Sequence, residues 1–187
     1  MAGYLIGSVD FGVIVPRIAG VDIYGVGSGN PGTTNVLRAM GKVAAVAVLA
    51  GDILKGVAAA ALGDLAGPDA AGFAAGFAAA LGHSYPRWHR FRGGKGVATT
   101  GGAVLWMAPV VGAALIGAWA LLTAVVRKAS VASLTLAAAL VPALALAGRR
   151  GWALGWAGAA AALIVVRHRA NITRLASGSE HTIEESP

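Results

Sequence analysis

The sequence is a succession of long apolar runs separated by short polar segments. A helix that crosses a bilayer needs about 20 apolar residues, with a usual range of roughly 17–25. Six runs stand out, the first and third being the shortest, and they cover 3–16, 43–63, 70–81, 97–126, 131–147 and 152–166. This pattern predicts an all-α, polytopic membrane protein.

The run 97–126 is long for one span, and Pro109 lies near its middle. Because proline breaks a helix, we predict two short helices here, which brings the total to seven transmembrane helices. The first run contains Asp10, whose carboxylate must face protein or water rather than lipid. Asp52 and Lys55 lie three residues apart in the second run, and we interpret them as a packed ion pair.

Charged residues make up 12% of the chain and the mean hydropathy is +0.70, whereas a soluble domain carries about 25% charged residues. Most of the 15 Lys and Arg fall in 17–42, 84–96, 127–130 and 167–187. Seven spans place these segments on one side, which the positive-inside rule makes cytoplasmic. The N-terminus is then outside and the C-terminus is cytoplasmic.

The chain has no cysteine, which excludes disulfides, thiolate metal sites and a thioester on the protein. No cluster of His, Asp and Glu has metal-ligand spacing, and we expect neither a metal nor a cofactor. The basic residues are split among short loops, which argues against nucleic acid as a partner. Residues 1–175 are predicted to form a single integral membrane domain, followed by a polar tail, 176–187, that we expect to be mobile.

The first polar segment suited to chemistry reads Gly27-Ser28-Gly29-Asn30-Pro31-Gly32-Thr33-Thr34-Asn35. Glycine lets backbone N–H groups approach an anion closely, and the following residues read like a helix start, where unpaired N–H groups favour phosphate. Arg38, one turn into that helix, could clamp a phosphate with two hydrogen bonds. The alternative is an ordinary loop that joins two spans.

The second such segment is Gly93-Gly94-Lys95-Gly96, which runs directly into an apolar run. A lysine between glycines at the mouth of a helix again suits an anion. Arg87, Trp88 and Arg90, just upstream, fit better as a basic, aromatic membrane interface. His83 stays open, because a lone histidine in a loop is more often structural.

The third segment follows the last apolar run and reads Arg167-His168-Arg169-Ala170-Asn171-Ile172-Thr173-Arg174. Arg167, His168, Asn171 and Arg174 recur at helical spacing and can share one face. A stop-transfer flank would also be basic, but it needs neither the histidine nor the asparagine. Ser130 and Ser133 begin another span on the same side of the membrane.

Together these segments resemble the PlsY family, the bacterial membrane acyl-phosphate:glycerol-3-phosphate acyltransferases. The match extends from Gly7 to Arg174, and it comprises the first glycine segment with Arg38, His83-x-x-Pro86 with Gly93-Gly94-Lys95-Gly96, and Arg167-His168-Arg169-x-Asn171. This chain differs from the family pattern at three positions. Pro31 stands where a small apolar residue is usual, Asp10 where an uncharged residue is usual, and Ala170 where Glu is common.

The resemblance implies that 1–175 is an acyltransferase domain in the bacterial cytoplasmic (inner) membrane, with its active site on the cytoplasmic face. It implies transfer of a fatty acyl group from acyl phosphate to the sn-1 hydroxyl of glycerol 3-phosphate. The products would be phosphate and the phospholipid precursor lysophosphatidic acid. The partners would be these two substrates and membrane lipid, without a cofactor, and the oligomeric state stays open.

On this resemblance the expected catalytic residues are Lys95, His168 and Asn171. The general base is either His168, with an ordinary pKa of about 6.5, or an oxygen of the acyl phosphate itself. The expected substrate-binding residues are Ser28, Gly29, Asn30, Thr34, Asn35, Arg38, His83, Gly93, Gly94, Gly96, Ser130, Ser133 and Arg167.

A transporter for a phosphorylated anion is the rival hypothesis, because it would also use basic residues and broken helices. A carrier places polar groups near the bilayer midplane and often shows inverted repeats. Here the polar segments lie at one face and no repeat is visible. A membrane-surface binding protein is a third possibility, which would not need Lys95 together with the segment from His168 to Asn171.

Overall fold

The computed structural model describes residues 1–183, without the side chain of Asp69. Over those residues the regular structure is helical. The α-helices are α1 (Ala2–Gly7), α2 (Phe11–Ile18), α3 (Thr33–Met40), α4 (Lys42–Ala66), α5 (Asp69–Ser84), α6 (Val97–Met107), α7 (Pro109–Val126), α8 (Ala129–Leu146), α9 (Trp152–Arg167) and α10 (Arg169–Ala176). Short 3₁₀ helices at Ile23–Gly25 and Arg87–His89 lie in the polar segments after α2 and α5.

Three of these helices, α4, α7 and α8, are long and apolar enough to cross a membrane, with mean hydropathies of 1.8, 2.1 and 2.0. The apolar helices α6 and α9 are shorter. Val110, Leu121 and Val125 of α7 are large apolar residues that stay exposed on the outside of the protein. A broad exposed apolar surface of this kind is typical of a protein that faces lipid.

The helices pack closely because small residues line their contacts. A Cβ added to Gly56 of α4 would lie 2.0 Å from the carbonyl oxygen of Thr99 in α6. One added to Gly102 of α6 would lie 2.0 Å from the carbonyl oxygen of Ile53 in α4. Close backbone approach at small residues is how helices associate in lipid. The contact fixes the start of α6, and with it the second glycine segment, relative to α4.

The predicted break at Pro109 is confirmed, because α6 ends at Met107 and α7 begins at Pro109. Proline is tolerated as the first residue of a helix, where the N–H that it lacks would have no helical partner. The apolar runs 43–63, 70–81, 131–147 and 152–166 form α4, α5, α8 and α9. The all-helical prediction is therefore confirmed for the described residues.

The first apolar run is not the continuous segment that the sequence suggested. Residues 8–10 divide it into α1 and α2. At this break the Lys55 ammonium of α4 donates a hydrogen bond to the carbonyl oxygen of Val9, at 2.8 Å. A carbonyl that leaves the helical hydrogen-bond pattern needs another partner, and Lys55 supplies one from α4. The break therefore depends on a contact between segments that are distant in sequence.

The C-terminal segment lies against the helices that carry the polar loops. The backbone N–H of Ile183 donates to the carbonyl oxygen of Arg127 at 2.8 Å. The Arg38 guanidinium of α3 donates to the carbonyl oxygen of Thr182 through Nε at 3.1 Å and Nη2 at 2.6 Å. The mobility expected of this tail and the single-domain division stay predictions, and the last four residues of the tail lie outside the described residues.

Candidate active site

A cavity of about 250 Å³ lies where the polar segments before α3 and α6 meet the start of α8 and the junction of α9 and α10. The predicted site residues that line it are Ser28, Asn30, Thr34, Asn35, Arg38, His83, Lys95, Gly96, Ser130, Ser133, His168 and Asn171. The predicted residues Gly29, Gly93, Gly94 and Arg167 are not part of this lining. Side chains from three distant polar segments therefore meet in one place.

The first glycine segment is held in shape by Asn35, which is almost fully buried. The Asn35 Oδ1 atom accepts a hydrogen bond from the Ser28 backbone N–H at 3.0 Å. Its Nδ2 atom donates to the carbonyl oxygen of Val26 at 2.9 Å. Gly29 has a φ of +64°, with its Cα facing the Tyr24 carbonyl, where a Cβ would lie 3.0 Å from that oxygen. Asn35 thus shapes the loop that brings Ser28 and Asn30 to the cavity.

The second glycine segment is held by its backbone carbonyls. Arg167, at the end of α9, donates from Nε to the carbonyl oxygen of Gly94 at 3.0 Å and from Nη2 to that of Gly93 at 2.7 Å. Gly96 has a φ of +82° and precedes α6. Glycine reaches this left-handed conformation without strain. Arg167 therefore holds the loop that carries Lys95, and it does not line the cavity.

The second and third polar segments are joined by direct side-chain contacts, which extend to Ser130 and Glu180. The Lys95 Nζ atom donates to Asn171 Oδ1 at 2.6 Å. Asn171 Nδ2 donates to Glu180 Oε1 at 2.6 Å, and the Ser130 hydroxyl donates to the same oxygen at 2.7 Å. Arg174 Nε donates to Glu180 Oε2 at 2.8 Å. The Glu180 carboxylate therefore orients polar groups of α8 and α10 around Lys95.

Glu180 is the site residue that the sequence analysis missed, because it lies in the polar tail. It is 8% exposed, and burial alone would raise the pKa of its carboxyl group. Hydrogen bonds from Ser130, Asn171 and Arg174 outweigh burial and hold that pKa below its ordinary value. The sequence signal for a buried site residue was weak. Glu180 is a single carboxylate in a polar segment, three residues beyond Ser177, where α10 has ended.

The charge of the Lys95 ammonium is sensitive to its surroundings in this cavity. Burial, together with the positive charges of Arg174, Arg167 and Arg38, lowers the pKa of Lys95 to about 8, whereas the charge of Glu180 acts in the opposite direction. Lys95 therefore carries its positive charge at neutral pH and loses it as the pH rises through about 8.

His168 is held as a neutral imidazole of one tautomer. Burial, followed by the charge of Lys95, lowers the pKa of His168 to about 4. Its Nδ1 atom lies 2.7 Å from the carbonyl oxygen of Ile164, and because a carbonyl only accepts, Nδ1 carries the proton. The Nε2 atom of a ring that lines the cavity is then left with a lone pair. Such an atom can accept a hydrogen bond from a hydroxyl group.

Ser133 is already engaged with its surroundings. Its hydroxyl donates to the carbonyl oxygen of Ala129 at 2.8 Å and accepts from Trp119 Nε1 at 3.0 Å. Beyond this polar end the cavity wall becomes apolar. The large apolar residues that line it are Leu49, Ile53, Val97, Val104, Leu115, Ile116, Leu136, Leu140 and Ile164. The cavity can therefore accept a molecule with one anionic and one apolar end.

A buried polar cluster lies behind the second glycine segment. Lys55 Nζ is 2.7 Å from Asp52 Oδ1, which confirms the predicted ion pair. Asp10 is also fully buried, and neither of its carboxylate oxygens has a hydrogen-bond partner among the described residues. The two aspartates thus differ: Asp52 forms an ion pair with Lys55, whereas Asp10 has no ion pair among the described residues.

This difference predicts opposite effects on stability. Asp52→Asn breaks a buried ion pair and should lower the free energy of unfolding by about 3 kcal/mol. Asp10→Asn removes a buried charge that no hydrogen bond compensates, and it should leave that free energy unchanged or raise it by about 1 kcal/mol. Thermal unfolding of the purified variants measures both effects. A larger loss for Asp10→Asn than for Asp52→Asn would contradict this reading of the cluster.

The fold and the site define a class: a multi-pass helical membrane protein with a basic cavity that extends between its helices. A model of the family "Glycerol-3-phosphate acyltransferase" matches residues 1–178. The chain belongs to the glycerol-3-phosphate acyltransferase family. The resemblance seen in the sequence motifs is therefore confirmed.

Individual relatives and solved structures agree with this family. A glycerol-3-phosphate acyltransferase of Rhizobium meliloti (strain 1021) is 46% identical over 98% of this chain and 90% of its own length. One from Jannaschia sp. (strain CCS1) is also 46% identical, with the same coverage. A crystal structure of PlsY (YgiH), an integral membrane glycerol 3-phosphate acyltransferase, in its glycerol 3-phosphate form, has a TM-score of 0.92 and 40% identity, over 96% of this chain and 91% of that one. Its lysophosphatidic acid form has a TM-score of 0.90 and 39% identity, with the same coverage.

Proposed function

We propose that this protein transfers a fatty acyl group from an acyl phosphate to the sn-1 hydroxyl of glycerol 3-phosphate, which gives lysophosphatidic acid and inorganic phosphate. One observation carries the proposal. Arg38, Lys95, His168 and Asn171, from three distant segments, line a single cavity that has a polar end and an apolar end. Both proposed substrates are phosphate anions, and the donor also carries an acyl chain, so the two ends of the cavity match the two parts of the donor.

The proposed reaction needs positioning and charge more than it needs a protein nucleophile. An acyl phosphate is a mixed anhydride with a good leaving group. The hydroxyl oxygen attacks the carbonyl carbon, an ester bond forms, the bond from that carbon to the bridging oxygen breaks, and phosphate leaves. Positively charged groups held in place can stabilise the charge that develops on the departing phosphate. Lys95 and Arg38 are placed for this role.

His168 and Asn171 are assigned to the acceptor. The unprotonated Nε2 atom of His168 can accept the hydrogen bond of the attacking hydroxyl and orient it. An imidazole with a pKa of about 4 holds a proton poorly at neutral pH. We therefore assign the final proton to an oxygen of the departing phosphate, with His168 as the group that aligns the hydroxyl. Asn171 holds Lys95 at 2.6 Å and keeps its ammonium in the cavity.

The proposed setting is the bacterial inner membrane, with seven transmembrane passages, the N-terminus outside and the C-terminus in the cytoplasm. In this arrangement α1 and α2 together make the first passage. The basic segments 17–42, 84–96, 127–130 and 167–187 then share the cytoplasmic side. The cavity, which those segments surround, opens on the same side.

A donor comparison tests the proposal. Purified protein is given labelled glycerol 3-phosphate with hexadecanoyl phosphate, hexadecanoyl-CoA or hexadecanoyl carrier protein. We expect lysophosphatidic acid and inorganic phosphate to appear in equal amounts from the acyl phosphate alone, with the acyl group at the sn-1 position. Equal or faster transfer from the CoA or carrier-protein donor would contradict the proposed donor. Uptake of the label into vesicles without product would favour the transporter hypothesis instead.

The pKa of Lys95 predicts an alkaline limit to the reaction. The ammonium is charged below a pH of about 8 and neutral above it, so kcat/KM for glycerol 3-phosphate should fall as the pH rises through about 8. The pH dependence of kcat/KM reports groups of the free enzyme. Lys95→Arg, which stays charged, should lack this limb even if its overall rate is lower. An identical limb in wild type and Lys95→Arg, after subtraction of uncatalysed hydrolysis, would contradict the assignment.

A further inference from the structure

The polar cluster of Asp52, Lys55 and His83 stands directly behind the second glycine segment. All three residues are at most 5% exposed. The Lys55 ammonium is 2.8 Å from the Val9 carbonyl oxygen, 2.7 Å from Asp52 Oδ1 and 2.8 Å from His83 Nδ1. The ammonium is therefore surrounded by a carbonyl oxygen, a carboxylate oxygen and a ring nitrogen.

This arrangement fixes the tautomer of His83. An ammonium group only donates, so its 2.8 Å contact with His83 Nδ1 is favourable only if Nδ1 carries a lone pair. The other tautomer would direct a proton from Nδ1 towards Asp52 Oδ1, but that distance is 3.4 Å, and two donors would then oppose each other at 2.8 Å. The shorter contact, with Lys55, therefore favours a neutral ring that carries its proton on Nε2.

The Nε2 end of the ring is directed at the glycine segment. A Cβ added to Gly94 would lie 2.2 Å from His83 Nε2, so only glycine leaves room for the ring. The Gly94 backbone N–H also donates to the carbonyl oxygen of His83 at 3.1 Å. His83 and Lys95 both line the cavity. The protonated nitrogen thus lies beside Gly94, the residue that precedes Lys95.

We propose that His83 donates its Nε2–H to a phosphoryl oxygen of a substrate bound beside Lys95, and that Lys55 and Asp52 are positioning residues that hold the ring in this tautomer. The inference rests on the proposed function for the identity of the phosphorylated substrate. It gives the cavity a neutral hydrogen-bond donor next to a charged one. It also gives Lys55, which is buried away from the reacting groups, a role in substrate binding.

Two substitutions of His83 separate this role from a structural one. His83→Gln places an amide nitrogen near the position of Nε2, which keeps the donor in the cavity and loses the acceptor of Lys55. His83→Asn places an amide near the position of Nδ1, which keeps a partner for Lys55 and loses the donor. With hexadecanoyl phosphate and glycerol 3-phosphate, we expect kcat/KM to fall about tenfold or more in His83→Asn, mainly through KM. His83→Gln should lose less, with a kcat/KM between those of His83→Asn and wild type.

Which of the two variants has the higher kcat/KM decides between a substrate-binding role and a structural role of His83. Thermal unfolding shows whether each variant folds, and a purely structural role predicts that His83→Asn is at least as active and as stable as His83→Gln. That result would overturn the inference. If neither variant folds, the nuclear magnetic resonance measurement described next decides, because it uses the wild-type chain.

Nuclear magnetic resonance of ¹⁵N-histidine-labelled protein reads the tautomer directly. The chain contains 4 His residues, and the His83 signals are assigned by selective double labelling of the Gly82–His83 peptide bond. We expect a protonated Nε2 and an unprotonated Nδ1, and Lys55→Met should lose this single tautomer and raise KM in the direction of His83→Asn. A protonated Nδ1 in the wild type would overturn the inference. Because this readout needs no turnover, absence of transfer from acyl phosphate would defeat the proposed function without deciding the tautomer.

Discussion

Replacement of Lys95 by alanine is expected to lower kcat/KM for acyl transfer by at least about a hundredfold. Lys95 is the lysine that lines the cavity, and its Nζ atom is held there by Asn171 Oδ1. Without its ammonium, the charge that develops on the departing phosphate loses its partner from the second glycine segment. Arg38 also lines the cavity, but its guanidinium donates to the Thr182 carbonyl oxygen, and we expect it to compensate only in part for the lost ammonium.

Two further variants make the Lys95 experiment specific. Lys128→Ala removes the same charge from a loop residue outside the cavity lining, and it should retain nearly full activity. Thermal unfolding should show that Lys95→Ala is folded, because burial already disfavours the charged form of this lysine. Near-normal turnover by a folded Lys95→Ala protein would contradict the assignment of Lys95 to the departing phosphate.

Replacement of Glu180 by alanine is expected to damage both stability and activity. Its carboxylate accepts hydrogen bonds from Ser130, Asn171 and Arg174. Loss of these partners leaves buried polar groups unsatisfied, and the free energy of unfolding should fall by about 3 kcal/mol. Activity should fall as well, because Asn171 then no longer holds Lys95 in one position.

Glu180→Gln is the conservative comparison for this prediction. The glutamine keeps an acceptor oxygen for Ser130 and Asn171 and loses the charge that pairs with Arg174. We expect an intermediate loss of stability, measured by thermal unfolding, and partial activity. Ser179→Ala, at an exposed neighbouring position, should behave like wild type. Wild-type stability of Glu180→Ala would show that the tail contact does not contribute to the folded state.

Much of the helical framework could be predicted from hydropathy, because helices in lipid are long apolar segments. Pro109 was also informative, because the effect of proline on a helix is local. The break between α6 and α7 lies where it was expected. The break between α1 and α2 could not be predicted in this way. It depends on Lys55 of α4, which captures the Val9 carbonyl oxygen from a different part of the chain.

The site shows the same division between local and long-range information. Glycine-flanked Lys95 and the spacing of His168 and Asn171 are local signals, and the structure brings these residues to one cavity. Glu180 has no local signal that distinguishes it from a solvated tail residue, since its partners lie on α8 and α10. Arg167 was expected to bind substrate, whereas the structure shows its contacts with the Gly93 and Gly94 carbonyls. Its effect on the substrate stays a prediction.

The central claim is that the polar segments form one substrate cavity that opens to the cytoplasm, and substrate protection of a single cysteine tests it most directly. The chain contains no cysteine, so Ser28→Cys introduces a unique thiol at the cavity wall, and Ser177→Cys introduces an exposed one on the C-terminal segment. In inverted membrane vesicles, we predict that a charged, membrane-impermeant thiol reagent labels both variants and that glycerol 3-phosphate protects only Ser28→Cys. Labelling of Ser28→Cys only from the periplasmic side, or equal labelling of it with and without glycerol 3-phosphate, would contradict the claim.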